Sequence, residues 1–303
     1  MPYDHSRPSL AGTACVLLAA MAFSAKAVIV KLAYAHAVDA ATLLALRMLF
    51  SAPFFALMAL WSGRGAAAVS LTRKDWLSVA LLGFIGYYLA SYLDFLGLQY
   101  ITAGLERLIL FLYPTVVVLL SAWLLKKPVR RHHIAALVLS YGGIALVFAE
   151  NLEFGGHSFE VVLGGALVFA SGVIYSFYLI GTGEVIGKLG AARFTSYAML
   201  VACMVAILQF LVAHDLSALA LPRQVYWLSL LMAVVSTVIP AWLMSEGIRR
   251  TGANHAAMVG SVGPVVTIYL GYRILNEPIS AIQLVGAALV LAGVTLVSVK
   301  KSS

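Results

Sequence analysis

Ten long apolar segments joined by short connections constrain the fold of this chain more than any other feature of its sequence. The segments cover residues 10–32, 40–61, 76–98, 103–125, 133–149, 161–182, 194–213, 225–246, 254–275 and 279–299. Most reach the roughly 20 residues that a helix needs to cross a bilayer. None alternates apolar and polar residues with a period of two, which argues against a membrane β-barrel. Because lipid offers no water to unpaired backbone groups, the sequence predicts an all-α integral membrane protein with ten transmembrane helices.

Composition agrees with this prediction and argues against other classes of protein. The chain is 62% hydrophobic and only 11% charged, whereas soluble domains are roughly 45–50% apolar and about 25% charged. A soluble enzyme, a disordered protein and a nucleic-acid-binding domain all fit poorly. The net charge of +8 therefore reflects lysines and arginines in loops. Cys15 and Cys203 both lie inside apolar segments, so neither indicates a disulfide framework or a metal site.

The distribution of basic residues predicts the orientation in the membrane. With the N-terminus in the cytoplasm, fourteen of the twenty lysines and arginines lie on the cytoplasmic side: Arg7, Arg64, Arg73, Lys74, Lys126, Lys127, Arg130, Arg131, Lys188, Arg193, Arg249, Arg250, Lys300 and Lys301. The outer connections hold only Lys31, Arg223 and Arg273. Cytoplasmic loops of membrane proteins are enriched in such residues. Both termini are therefore predicted to be cytoplasmic.

The two halves of the chain resemble each other at an offset near 150 residues. Pro114 and Pro128 match Pro264 and Pro278, and Gly12 is aligned more weakly with Gly165. Each half holds five segments, an odd number, so the second half must be inverted relative to the first. The sequence predicts two inverted five-helix repeats, residues 1–150 and 160–303. This architecture is typical of secondary transporters, whose substrate site lies near the membrane midplane.

Two motifs suggest a family. The run Gly104-Leu105-Glu106-Arg107-Leu108-Ile109-Leu110-Phe111-Leu112-Tyr113-Pro114 opens the fourth segment, and Asn276-Glu277-Pro278 precedes the last. With ten segments in two halves, these motifs resemble the drug/metabolite transporter superfamily, EamA-type branch. The resemblance implies a bacterial inner-membrane exporter of small metabolites, amino acids, drugs or cationic compounds. The first half departs from the family pattern, because Lys126-Lys127-Pro128 lacks the acidic residue that often precedes this proline.

Charged residues inside the apolar segments are the main candidates for the functional site. Five lie in the predicted outward half of the first four segments: Lys26, Arg47, Asp94, Glu106 and Arg107. A charge at the centre of a bilayer costs about 2.5–3.5 kcal/mol on insertion scales, so such residues face a cavity or one another. One hypothesis is a polar cavity that binds a zwitterionic or charged substrate, with Glu106 exchanging a proton. The alternative is a set of structural ion pairs that closes an outer gate, Arg47 with Glu106 and Lys26 with Asp94. Arg107 is predicted to extend to the outer interface instead.

Aromatic residues add further candidates for lining the site: Tyr88, Tyr113, Tyr175 and Trp242. Tyr113 shares a helix face with Glu106 at the i, i+7 spacing. Tyr88 and Tyr175 lie too deep for an interfacial aromatic belt, so their hydroxyls need a partner or a cavity. The alternative for each tyrosine is a packed core position.

Residues that shape or close the pathway complete the candidate set. Pro114 and Pro264 lie near the middle of the fourth and ninth segments and are predicted to kink both helices. Asn254 and His255 begin the ninth segment on the cytoplasmic side and are candidates for an inner gate, or else an ordinary polar helix start. No metal site is predicted.

The function predicted from these features is a secondary transporter that exports a small metabolite or drug by alternating access, coupled to protons. The solute is predicted to be amino-acid-like, zwitterionic or cationic. An uncoupled facilitator or importer is the alternative within transport, and an intramembrane enzyme or a membrane scaffold are alternatives of another class. The chain lacks a His-Glu-x-x-His motif and a phosphate-binding loop, so neither an enzyme nor a cofactor is predicted. The predicted partners are a small-molecule substrate, the lipid bilayer and protons, with no nucleic acid. Substrate identity and oligomeric state stay open.

Overall fold

The structure is a computed structural model that describes residues 10–62, 71–126, 128–154 and 158–299. These ranges contain helices and connections but no strand. The ten long helices are α1 (Leu10–Tyr34), α2 (Ala40–Ser62), α3 (Arg73–Leu98), α4 (Ala103–Leu124), α5 (Arg131–Phe154), α6 (Ser158–Leu189), α7 (Ala191–Ala213), α8 (Arg223–Thr251), α9 in two parts (Ala253–Gly260 and Gly263–Leu275) and α10 (Ala281–Val299). In the described ranges, nine helices are long and apolar enough to cross a membrane, and α10 is a shorter apolar helix. The predicted all-α membrane fold is confirmed.

Two helices near the candidate charges begin at side-chain caps. Thr102 precedes α4, and its Oγ1 accepts a hydrogen bond from the amide of Leu105 at 3.2 Å. Asp39 precedes α2, and its Oδ1 accepts from the amides of Ala41 and Thr42 at 2.9 and 3.0 Å. Burial acts to raise the pKa of the Asp39 carboxyl, but the hydrogen bonds from Thr42 and Ala41 and the nearby His214 lower it more, so this pKa lies below its usual value. Such caps satisfy amides that have no partner within the helix, which sets where each helix starts.

Local backbone irregularities recur in the two halves at the same offset of 150 residues. A π-helical turn occupies residues 84–89 of α3 and residues 234–238 of α8. A turn at residues 111–112 interrupts α4, and a turn at residues 261–262 interrupts α9. Pro114 and Pro264 follow these turns within the first two residues of the second helical part. Because proline lacks an amide hydrogen, it favours a break at this point of each helix.

Helices of one half pack against helices of the other half. α1 packs against α8 and α9, and α6 packs against α3 and α4. α2 packs against α7, and α5 packs against α10. Exchanging each helix with its counterpart in the other half leaves this list unchanged, which is the pattern that two repeats related by a twofold axis produce.

Two close helix crossings fix the alignment of the repeats. A Cβ atom on Gly97 of α3 would lie 2.8 Å from the carbonyl oxygen of Gly164 in α6. In the other half, a Cβ atom on Gly247 of α8 would lie 3.2 Å from the carbonyl oxygen of Gly12 in α1. Glycine allows such an approach of two membrane helices. Gly12 therefore corresponds to Gly164, and the alignment of Gly12 with Gly165 was one residue out of register.

The two ends of the bundle are named here by one residue each. The Glu277 end comprises the connections at residues 35–39, 99–102, 214–222 and 276–280. The His255 end is the opposite one, where α1 and α9 begin. By the distribution of lysine and arginine, we expect the His255 end to face the cytoplasm.

Reporter fusions test this orientation. A reporter that is active only in the cytoplasm is expected to work when fused after Arg131. A reporter that is active only on the opposite side of the membrane is expected to work when fused after Gly156. The reverse result at either position would contradict the predicted orientation.

Candidate functional site

Lys26 of α1 lies between two buried carboxylates. Its Nζ is 2.5 Å from Oδ2 of Asp94 in α3 and 3.5 Å from Oε1 of Glu106 in α4. The side chains of Asp94 and Glu106 are 2% and 0% exposed, and that of Lys26 is 15% exposed. These three residues are called the buried triad below. The predicted pair of Lys26 and Asp94 is present in the structure, with Glu106 beside it.

The buried triad holds more acceptors than donors. Oδ1 of Asp94 and both carboxylate oxygens of Glu106 are buried and accept no hydrogen bond from the described residues, although Oε1 of Glu106 forms the 3.5 Å ion pair with Lys26. Neighbouring carboxyl groups can hydrogen-bond to each other only when one carries a proton. Arg47 and Arg107 lie within electrostatic range of Asp94 and Glu106, respectively. One lysine cannot neutralise two carboxylates, so the three contacting side chains by themselves are neutral only after they gain a proton or another cation. Because unpaired buried charges are costly, the arrangement is suited to binding one of these.

Arg47 does not pair with Glu106 in this structure. Its Nε donates a hydrogen bond to Oγ1 of Thr237 at 3.1 Å, in the π-helical turn of α8. Its guanidinium lies 5.5 Å from the centroid of the Phe95 ring. Lys26 holds the position next to the carboxylates, whereas Arg47 on α2 is turned towards α8. The expected pair of Arg47 and Glu106 is therefore replaced by the buried triad.

Arg107 points into the bundle, so the prediction that it extends to the outer interface was wrong. A Cβ atom on Gly263 of α9 would lie 3.0 Å from its Nη2 and 3.4 Å from Oγ of Ser24 in α1. Gly263 lies about 15 Å along the helix axis from Ala253, at 1.5 Å per residue, which is near the midplane of the bundle. Gly263 has no side chain, so the guanidinium can approach α9 closely at this point.

Serine side chains bridge both helix breaks. Oγ of Ser24 in α1 lies 2.9 Å from the carbonyl oxygen of Gly263, and Oγ of Ser176 in α6 lies 3.2 Å from that of Tyr113. Each hydroxyl shares its proton between this carbonyl and the carbonyl four residues earlier in its own helix, at 2.6 and 2.7 Å. The two bonds are equivalent under the repeat. Each binds the first helix of one half to the broken helix of the other. The breaks beside Pro114 and Pro264 are thus held against neighbouring helices, and carbonyls left free near a break need such a partner.

The candidate aromatic residues separate into two groups. The rings of Tyr113 and Tyr175 are perpendicular with centroids 5.5 Å apart, and both phenols lie within electrostatic range of Arg107. Tyr88 is 8% exposed and packs in the hydrophobic core formed mainly by α1, α2, α3 and α7. Trp242 is 66% exposed on α8. Tyr113 and Tyr175 therefore pack against each other within electrostatic range of Arg107, whereas Tyr88 occupies a core position and Trp242 a surface one.

Two residues without a role predicted from sequence join neighbouring helices at the Glu277 end. The carboxylate of Glu277 accepts hydrogen bonds from the amides of Ala103 and Gly104, at 2.8 and 3.3 Å, at the start of α4. Nζ of Lys31 donates to the carbonyls of Leu98 and Ile101, at 3.1 and 2.9 Å. An anion at a helix N-terminus satisfies unpaired amides and interacts favourably with the helix dipole.

The connection before Glu277 directs its carboxylate to α4. Asn276 adopts the left-handed conformation with φ of 56°, which asparagine tolerates better than most residues. The amide of Glu277 then donates to the carbonyl of Gly271 at 3.1 Å. The motif Asn276-Glu277-Pro278 was the available signal, but the sequence did not reveal the partner helix.

The His255 end carries a polar contact between α1 and α9. Nε2 of His255 lies 3.0 Å from Oγ1 of Thr13. Asn254 precedes His255 in the same helix, and its side chain lies outside the described part of the structure. Within the described residues, no three histidine, cysteine, aspartate or glutamate side chains are grouped as metal ligands.

The ten apolar helices define an integral membrane protein, and helices of its two halves pack against each other around buried charged residues. The EamA-like transporter family matches residues 10–149 and again residues 162–299. The protein belongs to this family, and each half of the chain corresponds to one copy of the family domain.

Relatives extend over the whole chain. The uncharacterized transporter YcbK of Bacillus subtilis (strain 168) is 29% identical over 97% of this chain and 95% of its own. The uncharacterized transporter sll1319 of Synechocystis sp. is 26% identical over 98% of this chain and 96% of its own. One solved crystal structure of a protein matches with a TM-score of 0.64 at 19% identity, over 95% of this chain and 97% of that one, which is a likeness of fold.

Proposed function

We propose that this protein exports a small amino-acid-like, zwitterionic or cationic solute by proton-coupled alternating access. The observation that carries this proposal is the buried triad, in which Lys26 is shared by two carboxylates that have unsatisfied oxygens. A site that becomes neutral on gaining one positive charge can take a proton or the cationic group of a solute. Competition between the two for one site couples their movements in opposite directions.

In the proposed transport cycle, the binding site is open to one side of the membrane at a time. Glu277 binds the amides of Ala103 and Gly104 at the start of α4, and Lys31 binds the carbonyl of Ile101 just before it. We propose that these contacts close the Glu277 end in this state. The proposed second state breaks these contacts and opens the same site to the other side of the membrane. We propose that residues 1–150 and residues 160–303 rock against each other. The contacts between helices of the two halves support this proposal.

Substitution of Glu106 by glutamine tests whether this residue couples transport to protons or only binds substrate. Glu106→Gln keeps the size and hydrogen-bonding ability of the side chain but cannot exchange a proton. In proteoliposomes, we expect it to abolish substrate accumulation driven by a pH gradient while exchange of labelled for unlabelled substrate continues. The substrate for this assay comes from comparing solute toxicity in overexpressing and deletion strains.

The matched control is Glu160→Gln, the same substitution at the exposed start of α6. This control is expected to accumulate substrate as the wild type does. If Glu106→Gln vesicles also concentrate substrate like the wild type, Glu106 is not the coupling residue.

A second candidate function is uncoupled transport with the triad acting only as a lock. The close position of Lys31, Glu277 and the triad near one end of the bundle favours it, because all of them would then stabilise one closed state. Under this alternative, wild-type flux is the same with and without a pH gradient. Under the proposed function, the gradient changes the final substrate concentration inside the vesicles.

A further inference from the structure

Arg107 is a cation inside the bundle that interacts electrostatically with Glu106 without forming a direct ion pair with it. In the described ranges, no aspartate or glutamate oxygen lies within 4.0 Å of its guanidinium nitrogens. Its Nε is buried and has no hydrogen-bond partner among those residues. A charged group at this depth is costly unless it is paired, so such groups mark substrate and ion pathways. The structure therefore presents an arginine that is poised to bind an anion.

The surroundings of Arg107 are small and polar on the side that the guanidinium faces. Gly263 offers no side chain, and the hydroxyl of Ser24 lies next to the position that its Cβ would occupy. The preceding residues, Gly260-Ser261-Val262, are also small. This side of Arg107 is where the first helix of one half meets the broken helix of the other, which is the place where inverted-repeat transporters bind substrate.

A pair of aromatic rings lies within electrostatic range of Arg107. Tyr113 and Tyr175, from α4 and α6, provide the two rings and pack edge to face. Their rings offer an apolar face to the body of a small molecule. Arg107 and this pair of rings thus combine one cationic group with one apolar surface.

We infer that Arg107 binds a carboxylate group of the transported solute and that the apolar part of the solute packs against Tyr113 and Tyr175. The planar guanidinium matches a carboxylate through two parallel hydrogen bonds, which a lysine cannot reproduce. This inference rests on the proposed transport function and narrows its substrate class. It requires a carboxylate, so a solute that carries only an amine is a poor ligand.

The sequence neighbours Glu106 and Arg107 then bind opposite ends of a zwitterion. Successive residues of a helix point about 100° apart, so Glu106 faces the triad while Arg107 faces Gly263 and Ser24. The ammonium group of the solute binds the unsatisfied carboxylate oxygens of the triad, and its carboxylate binds the guanidinium of Arg107. One solute satisfies both groups.

Binding to the purified full-length protein in detergent tests this inference. The probes are two matched pairs, L-phenylalanine with 2-phenylethylamine and L-leucine with isopentylamine, which differ only in the carboxylate. We expect at least one carboxylate probe to bind the wild type roughly 10- to 100-fold more tightly than its amine, since hydrogen bonds to charged groups are strong. Arg107→Gln is expected to remove this preference. The control Arg273→Gln, at an exposed position near the end of α9, is expected to keep it.

Equal affinity for the amine and the carboxylate probes overturns the inference. Survival of the preference in Arg107→Gln overturns it too, as does the absence of carboxylate binding to the wild type at millimolar concentration. If Arg107→Gln does not fold, modification of wild-type Arg107 by phenylglyoxal provides a second measurement. We expect the carboxylate probe, and not its amine, to slow this modification as measured by mass spectrometry, and equal rates with both would contradict the inference.

Flux through proteoliposomes distinguishes this inference from the proposed function. If carboxylate probes bind in a way that depends on Arg107 but show no flux, transport of these probes is refuted. The inferred binding site is then still supported. If a solute shows coupled flux but the protein has no preference for carboxylates, the inferred role of Arg107 is refuted. The proposed transport function is then still supported.

Discussion

Lys26→Met is expected to lower the free energy of unfolding by about 3–5 kcal/mol, the usual cost of leaving a buried charge without its partner. The substitution keeps much of the aliphatic volume of the side chain but removes the cation that Asp94 and Glu106 share. Both carboxylates are almost completely buried, so water cannot replace the lost ammonium group. Equilibrium unfolding in mixed detergent micelles measures the change.

A second substitution is expected to restore much of the lost stability. Lys26→Met combined with Asp94→Asn removes one cation and one anion, and a buried pair can be replaced by neutral residues at little cost. The surface control is Lys188→Met, because Lys188 is 41% exposed and forms an ion pair with Asp75. Exposed pairs contribute roughly 0–1 kcal/mol. Equal losses for Lys26→Met and Lys188→Met, or strictly additive effects of the two triad substitutions, would show that the triad is not coupled.

Glu277→Ala is expected to open the Glu277 end and to raise the reactivity of a cysteine at position 103 by about tenfold or more. The substitution removes the carboxylate that accepts hydrogen bonds from Ala103 and Gly104. Hydrogen bonds to a charged group contribute about 1.5–3 kcal/mol each, and 1.4 kcal/mol already changes a population about tenfold. The measurement is the rate at which a membrane-impermeant maleimide labels Ala103→Cys in a chain that also carries Cys15→Ser and Cys203→Ala.

Two further variants identify the origin of this effect. Glu277→Gln retains an acceptor oxygen but loses the charge, so its labelling rate should lie between those of the wild type and Glu277→Ala. Lys127→Ala changes the residue that corresponds to Glu277 in the first half and should label as the wild type does. Labelling of Glu277→Ala at the wild-type rate would mean that this carboxylate does not close the end of the bundle.

The membrane makes the spans and the repeat predictable from sequence. A helix must cover the hydrocarbon with apolar residues and satisfy its own backbone, so hydropathy alone locates each span. The second segment was predicted at 40–61 and the helix runs from Ala40 to Ser62. The sixth was predicted at 161–182, yet α6 extends to Leu189. Hydropathy detects the apolar part of a helix, and this helix continues beyond it through polar residues such as Lys188.

The sequence also identified the main candidate residues of the functional site. Charges at membrane depth are costly enough to require partners, so Lys26, Asp94 and Glu106 could be selected without a structure. Proline chemistry predicted the breaks beside Pro114 and Pro264, since neither residue can donate a backbone hydrogen bond. These conclusions follow from the residue type and its depth alone.

Only the tertiary structure decided which partner each charged side chain has. Lys26 rather than Arg47 contacts Glu106, and Arg107 turns towards the space left by Gly263 instead of towards the outer interface. Glu277 caps α4, a helix more than 150 residues earlier in the chain. The choice of partner depends on the rotation of each helix about its axis and on the gaps that glycine leaves between helices. Hydropathy and spacing record neither quantity, because both arise from how all ten helices pack together.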